Sequence, residues 1–557
     1  MATDHTVETF VPDIPDYNIV PGTVYLVQGA HQVGFSSQDI ILHPTPSSDP
    51  SDPLRWSFWR KTYHLFLLFW YSSIVGAVTN WESVIYLNLM EAYNTTIDQL
   101  NIGAAVMILL LGVGNVFFVP LSNKFGRRSV YIWTMLMVVV SQIIMALSKD
   151  IRYYQGAHFL LGMGAAPFEA LVAISVSDVW FAHERGSKLS MYVFGLAFGS
   201  FVGPICAGYM VETQTWRWIY WWGVVLTGAL LILFYFTFEE SRFLRSVDPD
   251  EGLVVPLPAK STLDLDDHYT STVDDSKRDY KVDEELHRYN THTHTARVGE
   301  VFETTSWSPQ FSLWKSYPDS WGQVCREFVA PLSISWFPAV FWCGLNYGTC
   351  VSWLSVLATT VAEVFAVPPY NFSNSALGLI WLAPLLGSLI GAAFSGPLND
   401  RFTLYLSNKN KGFREPEFRL WAFIPTAFIM PCGLILYGVT SAHEMHWIVP
   451  VVGTGFVGFG LSVGGAVTMS YILDCYKEIG TQAITSIILI RNIVGFGITW
   501  GIQPWITGMG QQNAFICVGA LSFVVTMAAL VFIIFGKAAR RMTAKRYQSM
   551  ALKVAVY

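Results

Sequence analysis

The chain alternates between long apolar runs and short polar connections, a pattern typical of a protein that crosses a bilayer many times. An apolar run of about 18 residues is long enough to cross the hydrocarbon core as a helix. Lipid offers no partner to an unpaired backbone group, so runs of this length must be helical. Six such runs precede residue 240 and six follow residue 330. The sequence therefore predicts an all-α membrane protein with twelve transmembrane helices.

These runs, numbered here as spans 1 to 12, form two sets of six separated by a polar segment. The first set is predicted at 63–80, 102–121, 130–147, 154–179, 189–211 and 218–238, and the second at 331–361, 377–397, 420–437, 448–473, 483–504 and 514–535. The polar, charge-mixed composition between the sets is typical of a flexible linker. We predict a polar cytoplasmic N-terminal segment (1–60), a first half (61–240), a cytoplasmic linker (241–330), a second half (331–536) and a cytoplasmic tail (537–557).

Composition supports a membrane protein and argues against several other classes. Hydrophobic residues make up 52% of the chain and charged residues 13%, whereas soluble domains carry about 25% charged residues. We find no G-x-x-x-x-G-K-[ST] loop for a primary pump and no H-E-x-x-H spacing for a metal enzyme. We expect no catalytic residues, metal or cofactor, no nucleic-acid partner, and a monomer whose partners are the lipid bilayer, protons and a small-molecule substrate.

Loop charge predicts the orientation, because Lys and Arg concentrate on the cytoplasmic side. With both termini inside, the outside loops contain only Lys149, Arg152 and Arg217. Two N-glycosylation acceptors, Asn94 and Asn371, fall in loops that the same count places outside. The agreement favours the plasma membrane, with the vacuolar membrane as the alternative.

A loop motif occurs in both halves: PLSNKFGRR at 120–128 after span 2 and PLNDRF at 397–402 after span 8. The first copy resembles the G-x-L-A-D-R-x-G-R-R motif of the major facilitator superfamily. The resemblance implies the fold of that family, with two six-helix halves around a central cavity. It also implies gating roles for the residues at the motif and at the cytoplasmic end of span 4, namely Asn123, Gly126, Arg127, Arg128, Asp178, Asp400 and Arg401.

Asn123 stands where the family has an Asp that caps a helix of the opposite half and helps lock the outward-facing state. Asn still accepts a capping hydrogen bond but lacks the charge that favours a helix N-terminus. Two alternatives follow: the lock is weaker here, or Asp400 in the second copy carries more of it. We expect Asp178 to contact Arg185 and Asp474 to contact Lys477.

The sequence GLAFGSFVGP at 195–204 resembles the span 5 motif of drug:proton antiporters. Small residues at every fourth position let helices approach closely, and a proline introduces a bend. The motif residues are Gly195, Gly199, Gly203 and Pro204, and we expect the last two to shape the interface between the halves. Packing alone is the alternative.

His158 stands where the family's span 4 motif, R-x-x-x-G-x-G, has an Arg that is assigned to proton coupling. Histidine is able to relay protons near neutral pH, and a packing histidine is the alternative. The segments 52–56 (DPLRW) and 491–497 (RNIVGFG) resemble patterns of fungal drug and polyamine exporters. The segment FEESRF at 238–243 is only loosely similar to the sugar-porter sequence PESPR.

Ionisable residues deep inside a span are functional candidates because burying their charge in lipid is costly. Glu169 in span 4 and Arg491 in span 11 both fall near the midplane, one in each half, and Asn492 is adjacent. Tyr347 and Trp353 in span 7 are candidates for stacking on a flat or cationic substrate. A structural ion pair is the alternative for the two charges, and Glu82 is interpreted as either a cavity residue or an interfacial residue facing water.

We therefore expect a secondary active transporter, in which proton-coupled efflux removes a drug, polyamine or secondary metabolite. A sugar-type or other nutrient uptake porter of the same superfamily is the second interpretation. A non-transporting solute sensor is the alternative from another class. The sequence leaves the substrate open, because carboxylates suit organic cations and Arg491 suits an organic acid.

Overall fold

The computed structural model describes residues 21–22, 24–25, 52–243, 317, 321–410, 413–477 and 479–555. Within these ranges, twelve helices are long and apolar enough to cross a membrane. The all-α fold with two six-helix halves is therefore confirmed. The described part of the chain also contains a short antiparallel pair of strands, β1 (Val24–Tyr25) and β2 (Phe413–Arg414).

The first half contains eight α-helices, because span 4 is broken at a proline and a short helix follows span 1. Pro167 lacks a backbone N–H and occupies the first turn of a new helix, so the preceding helix ends at Ala165. The segments are α1 (Phe58–Asn80), α2 (Tyr86–Tyr93), α3 (Ile97–Phe125), α4 (Arg127–Leu147), α5 (Ile151–Ala165), α6 (Pro167–Val179), α7 (Ala182–Thr213) and α8 (Arg217–Thr237).

The second half begins with a helix that the sequence analysis did not predict, α9 (Trp321–Ile334), and span 7 starts after it at Pro338. Span 8 contains a π-helical turn, Phe394–Leu398, around Pro397. The segments that follow α9 are α10 (Pro338–Phe365), α11 (Asn374–Ile380), α12 (Leu382–Ala393), α13 (Asn399–Lys409), α14 (Phe423–Ala442), α15 (Ile448–Cys475), α16 (Gly480–Met509), α17 (Gln511–Met527) and α18 (Ala529–Ala555).

Some predicted boundaries differ from the structure. The start of span 7 at residue 331 is wrong, since Pro331 lies inside α9 and the next helix begins where Pro338 occupies its first turn. Most of the predicted linker, 241–330, lies outside the described residues, but its last ten residues belong to α9. The predicted tail, 537–557, begins within α18, and most of segment 1–60 lies outside the described residues.

The most extensive contacts between the two halves are those of α3 with α16 and of α7 with α11 and α12. On the side that the loop charges predict to be outside, the Ser375 backbone N–H donates to Glu212 Oε1 at 3.0 Å. Toward the predicted cytoplasmic end, five apolar side chains from both halves are buried together: Val119, Ala170, Ile174, Ile484 and Ile488. These side chains form an apolar contact between the halves on that side.

The glycine motif of span 5 faces α1 rather than the other half. A Cβ at Gly203 would lie 2.7 Å from the Ala77 Cα, and one at Gly195 would lie 2.8 Å from the Phe69 ring. Both neighbours belong to the first half, so the expectation that Gly203 shapes the interface between halves is wrong. Pro204 does face that interface, because its carbonyl oxygen lies 2.9 Å from the position of a Cβ built on Gly378 of α11.

Candidate substrate and proton site

A cavity of about 140 Å³ lies between the two halves. Its lining includes four ionisable side chains that are not tyrosines: Glu82, His158, Glu169 and Arg491. The first three belong to the first half and Arg491 to the second. All four are at least nine-tenths buried, and such groups persist in a protein interior only when paired and hydrogen-bonded. Their pairing therefore defines the chemistry of the site.

Glu169 and Arg491 form an ion pair that joins the halves. Their side chains are 5% and 4% exposed. Asn492 completes the group: its Nδ2 donates to Glu169 Oε2 at 2.9 Å, and its Oδ1 accepts from Arg491 at 3.2 Å. Glu169 lies in the first turn of α6, where the helix dipole favours a negative charge. The three residues thus form one closed network across the centre of the bundle.

Two tyrosines support this network. The Arg491 guanidinium lies over the Tyr347 ring, 5.0 Å from its centroid, and Tyr347 also lines the cavity. The Tyr192 hydroxyl donates to the backbone carbonyls of Phe168 at 3.0 Å and Glu169 at 2.7 Å. Trp353, which the sequence analysis grouped with Tyr347, is fully buried in the apolar core and is not among the cavity-lining residues.

A second network in the same cavity joins Glu82, His158 and Tyr154. His158 Nε2 lies 3.0 Å from Glu82 Oε2, and the Tyr154 hydroxyl donates to that same oxygen at 2.7 Å. The other ring nitrogen, His158 Nδ1, lies 3.0 Å from the Tyr154 carbonyl oxygen. Glu82 is 6% exposed, so the interpretation that it faces water at the interface is wrong.

The position of His158 between two acceptors has a chemical consequence. A neutral imidazole has one N–H donor, whereas both ring nitrogens of His158 face an oxygen. Both hydrogen bonds form only if the imidazole is protonated or if Glu82 carries a proton and donates it to the ring. The pair therefore holds one exchangeable proton in either arrangement. Glu82 and Tyr154 were missed as partners of His158, although Tyr154 and His158 are spaced four residues apart, which places them on one helix face.

The first copy of the loop motif connects the halves through Asn123. The Asn123 amide donates to Glu327 of α9 at 2.7 Å, and its carbonyl oxygen accepts from Arg127 at 2.6 Å. An aspartate at position 123 would place a second carboxylate against Glu327. Asn123 instead offers a side-chain N–H donor, which the family's aspartate lacks. Arg127 also donates to Asp178 at 3.2 Å, whereas the side chain of Arg185, the expected partner, lies outside the described residues.

Glu240, just after span 6, holds the glycine and the two arginines of the first loop motif in place. Glu240 accepts from the backbone N–H groups of Arg127 at 2.9 Å and Arg128 at 3.2 Å, which caps α4. Gly126 joins α3 to α4 with φ +89°, a conformation that L side chains rarely adopt, and Glu240 leaves no space for a Cβ there. The Arg128 guanidinium donates to the Tyr235 carbonyl at 2.5 Å.

The second copy of the motif stays within its own half. Asp400 pairs with Arg419 at 3.0 Å, and Asp474 pairs with Arg419 at 2.7 Å and with Arg414 at 3.0 Å. The expected contact between Asp474 and Lys477 is therefore replaced by two arginines of the segment before span 9. Arg401 is exposed. The alternative that Asp400 carries the lock between halves is not supported by these partners.

Comparison with known proteins agrees with this architecture. The Major Facilitator Superfamily profile matches residues 66–496. An uncharacterized MFS-type transporter of Schizosaccharomyces pombe is 31% identical over 95% of this chain and 94% of its own length. Protein HOL1 of Saccharomyces cerevisiae is 28% identical over 97% of this chain and 98% of its own. The xylose transporter XylE of E. coli, in a partially occluded inward-open conformation, has a TM-score of 0.56 at 13% identity, covering 85% of this chain and 99% of its own.

The last likeness shows the fold alone, because its sequence identity is low. The profile match and the fungal relatives together cover nearly the whole membrane region. The chain belongs to the major facilitator superfamily, as a multi-pass membrane transporter of small solutes that is similar to fungal members of that family.

Proposed function

We propose that the chain exports a small organic cation, such as a cationic drug, a polyamine or a basic secondary metabolite, in exchange for protons. The observation that carries the proposal is the pairing in the cavity, where two buried carboxylates face one guanidinium and one histidine. Arg491 is the one permanent positive charge among these four groups, whereas the proton that Glu82 and His158 hold is exchangeable. Once that proton leaves, two carboxylates face one positive charge, so a cation is the better complement.

The Glu169 network provides a physical basis for exchange. A bound cation and a proton each satisfy the Glu169 carboxylate in place of Arg491, so the two compete for one group. Because Arg491 belongs to the other half, either event weakens the ion pair that holds the halves together at the centre. The released halves are then free to rock, and the cargo leaves on the opposite side.

The Glu82 and His158 pair is proposed as the proton entry point from the outer side. It lies at the outer end of the same cavity, and histidine exchanges protons near neutral pH. A proton entry point on the outer side suits export, because protons then enter from outside as the cation leaves. The span 5 motif, which resembles that of drug:proton antiporters, favours export over uptake.

The test uses purified full-length protein in sealed vesicles with an imposed proton gradient and a panel that contains a polyamine, an aromatic cation, an organic acid and a hexose. Glu169→Gln should abolish gradient-driven cation transport while retaining some cation binding, and Glu169→Asp should keep part of the rate. The control is Glu91→Gln, an exposed carboxylate of α2. A wild-type rate in Glu169→Gln would overturn the coupling role, and hexose-driven proton uptake would support the nutrient porter instead.

We also propose the plasma membrane as the location, with the loops that carry Asn94 and Asn371 outside. Both asparagines are exposed and adopt left-handed backbone conformations at φ 48° and 49°. Replacing both by Gln should abolish any glycosidase-sensitive mobility shift of the protein expressed in a fungal host. Each single variant is the control, and a shift that persists in the double variant would contradict the loop assignment.

A further inference from the structure

The helix α9 presents an apolar stripe that the described part of the protein leaves largely exposed, although Trp321 at its start packs edge-on against Phe125 of α3. The stripe consists of Trp321, Cys325, Val329 and Leu332, and Trp336 just after the helix continues it. These positions are spaced by four, four, three and four residues, so they share one face at 3.6 residues per turn. Val329 is 60% exposed and Trp336 is 81% exposed.

The opposite face of α9 is packed against the protein, with Val324 and Ile334 buried. Glu327 accepts from Asn123 of the first half, and the Ser333 hydroxyl lies 2.6 Å from the Arg546 guanidinium of α18. The backbone carbonyl of Pro331 accepts from Ser486 of α16 at 2.7 Å. The orientation of the helix is therefore fixed by three different elements, and the apolar stripe is directed outward by these contacts.

We propose that this stripe inserts into the lipid of the predicted cytoplasmic leaflet and that α9 is an interfacial helix with the membrane as its partner. Span 7 begins at Pro338, two residues after Trp336, so α9 lies where the chain enters the bilayer. The exposed Phe341 of span 7 extends the apolar surface into the lipid-facing side of the bundle. Tryptophan side chains favour the interface between membrane and water.

Charge complementarity supports the same partner. Arg326 on α9 is exposed, as are Arg541, Lys545 and Arg546 on the neighbouring α18. Basic side chains next to a membrane are attracted to anionic lipids of the cytoplasmic leaflet. An amphipathic helix with an apolar stripe and flanking basic residues binds through both effects, burial of apolar area and electrostatic attraction.

The insertion has a consequence for the transport cycle. Through Asn123 the helix contacts the first half, and through Ser486 it contacts α16, five residues before Arg491. An α9 anchored in lipid therefore fixes the depth of both halves relative to the membrane surface on the predicted cytoplasmic side. Anionic lipid should then change the transport rate through α9 without contacting the substrate cavity.

The experiment measures depth directly on the full chain reconstituted in nanodiscs that contain neutral and anionic phospholipids. Cys325 is kept as the sole cysteine and spin-labelled. Its accessibility to oxygen, which partitions into lipid, is compared with its accessibility to a water-soluble nickel chelate. The matched control carries Gln323→Cys, on the opposite face of α9, in the same background with Cys325 replaced by Ser.

We expect the label at Cys325 to be more accessible to oxygen than to the nickel chelate. We expect the reverse for the label at Gln323→Cys. Equal nickel accessibility at both positions would overturn the proposal. The unmodified chain provides a second measurement, in which a photoactivatable phospholipid should crosslink to residues 321–336 as it does to the lipid-facing span 12. A lipid crosslink to span 12 without one to residues 321–336 would contradict a membrane partner. A crosslink between Cys325 and another protein would contradict it as well.

Discussion

The two buried carboxylates of the cavity have different kinds of partner. Glu169 is paired with Arg491 of the other half and shares Asn492 with it. Glu82 is paired with His158 of its own half and also accepts from Tyr154. A guanidinium stays protonated in a protein, whereas an imidazole exchanges its proton near neutral pH. One site thus has a fixed positive charge and the other a titratable one.

The difference separates two tasks. A pair that joins the halves is broken and formed again as the halves move, so the network of Glu169 and Arg491 depends on the conformation of the bundle. A pair within one half keeps its geometry during such motion and changes only its proton. The comparison assigns cation binding with conformational control to the first site, and proton exchange with the outside to the second.

The largest expected effect comes from removing the fixed charge. Arg491→Gln leaves Glu169 buried beside two amides, and loss of one partner of a buried ion pair costs about 3–5 kcal/mol. We expect a large drop in thermal stability of the purified protein and complete loss of transport. The double variant Glu169→Gln with Arg491→Gln should recover most of the stability and none of the transport. A single variant that melts like the wild type would contradict a closed network.

An intermediate effect is expected at the titratable site. His158→Gln keeps a donor for Glu82 but holds no exchangeable proton, so the fold should persist with a cost of about 1 kcal/mol. Transport should lose the dependence on external pH that an exchangeable imidazole proton gives it. The measurement is the initial rate in vesicles against external pH, with Glu91→Gln as the control. An unchanged pH profile would assign the proton to another group.

The smallest effect on transport should come from the hydroxyl that accompanies Glu82. Tyr154→Phe removes one donor to Glu82 Oε2 and leaves His158 in place, which should cost about 1–3 kcal/mol as a hydrogen bond to a charged group. We expect a modest loss of stability and a shift of the pH profile rather than its loss. Tyr153→Phe, at an exposed neighbouring position, should change neither property. Equal effects of both variants would show that the hydroxyl of Tyr154 is not specific to this network.

The same contrast between a bridging and a local role appears in the two loop motifs. Asn123 connects to Glu327 of the second half, whereas Asp400 pairs with Arg419 of its own half. The duplication is evident in the sequence, but the sequence does not determine which copy joins the halves. The answer depends on α9, whose position follows from tertiary packing and not from the motif itself.

Much of the architecture follows from the sequence alone. Apolar runs of membrane length are a local property, so twelve spans in two sets were predictable, with errors where a proline starts a new helix at Pro338 or breaks one at Pro167. The positions of Glu169 and Arg491 deep within their spans follow from the sequence as well, because they are a matter of counting residues from the end of a helix. Family motifs added the fold and a candidate role for His158.

Tertiary structure decided which of these residues meet. Glu169 and Asn492 are 323 positions apart, and Glu82 and His158 are 76 apart, so no local pattern pairs them. It also placed Trp353 in the packed core rather than at the cavity and turned Gly203 toward α1. The physical reason is that hydropathy fixes how deep a residue lies in the membrane, whereas the rotation of each helix, and therefore the direction of its side chains, is set by the neighbours against which it packs.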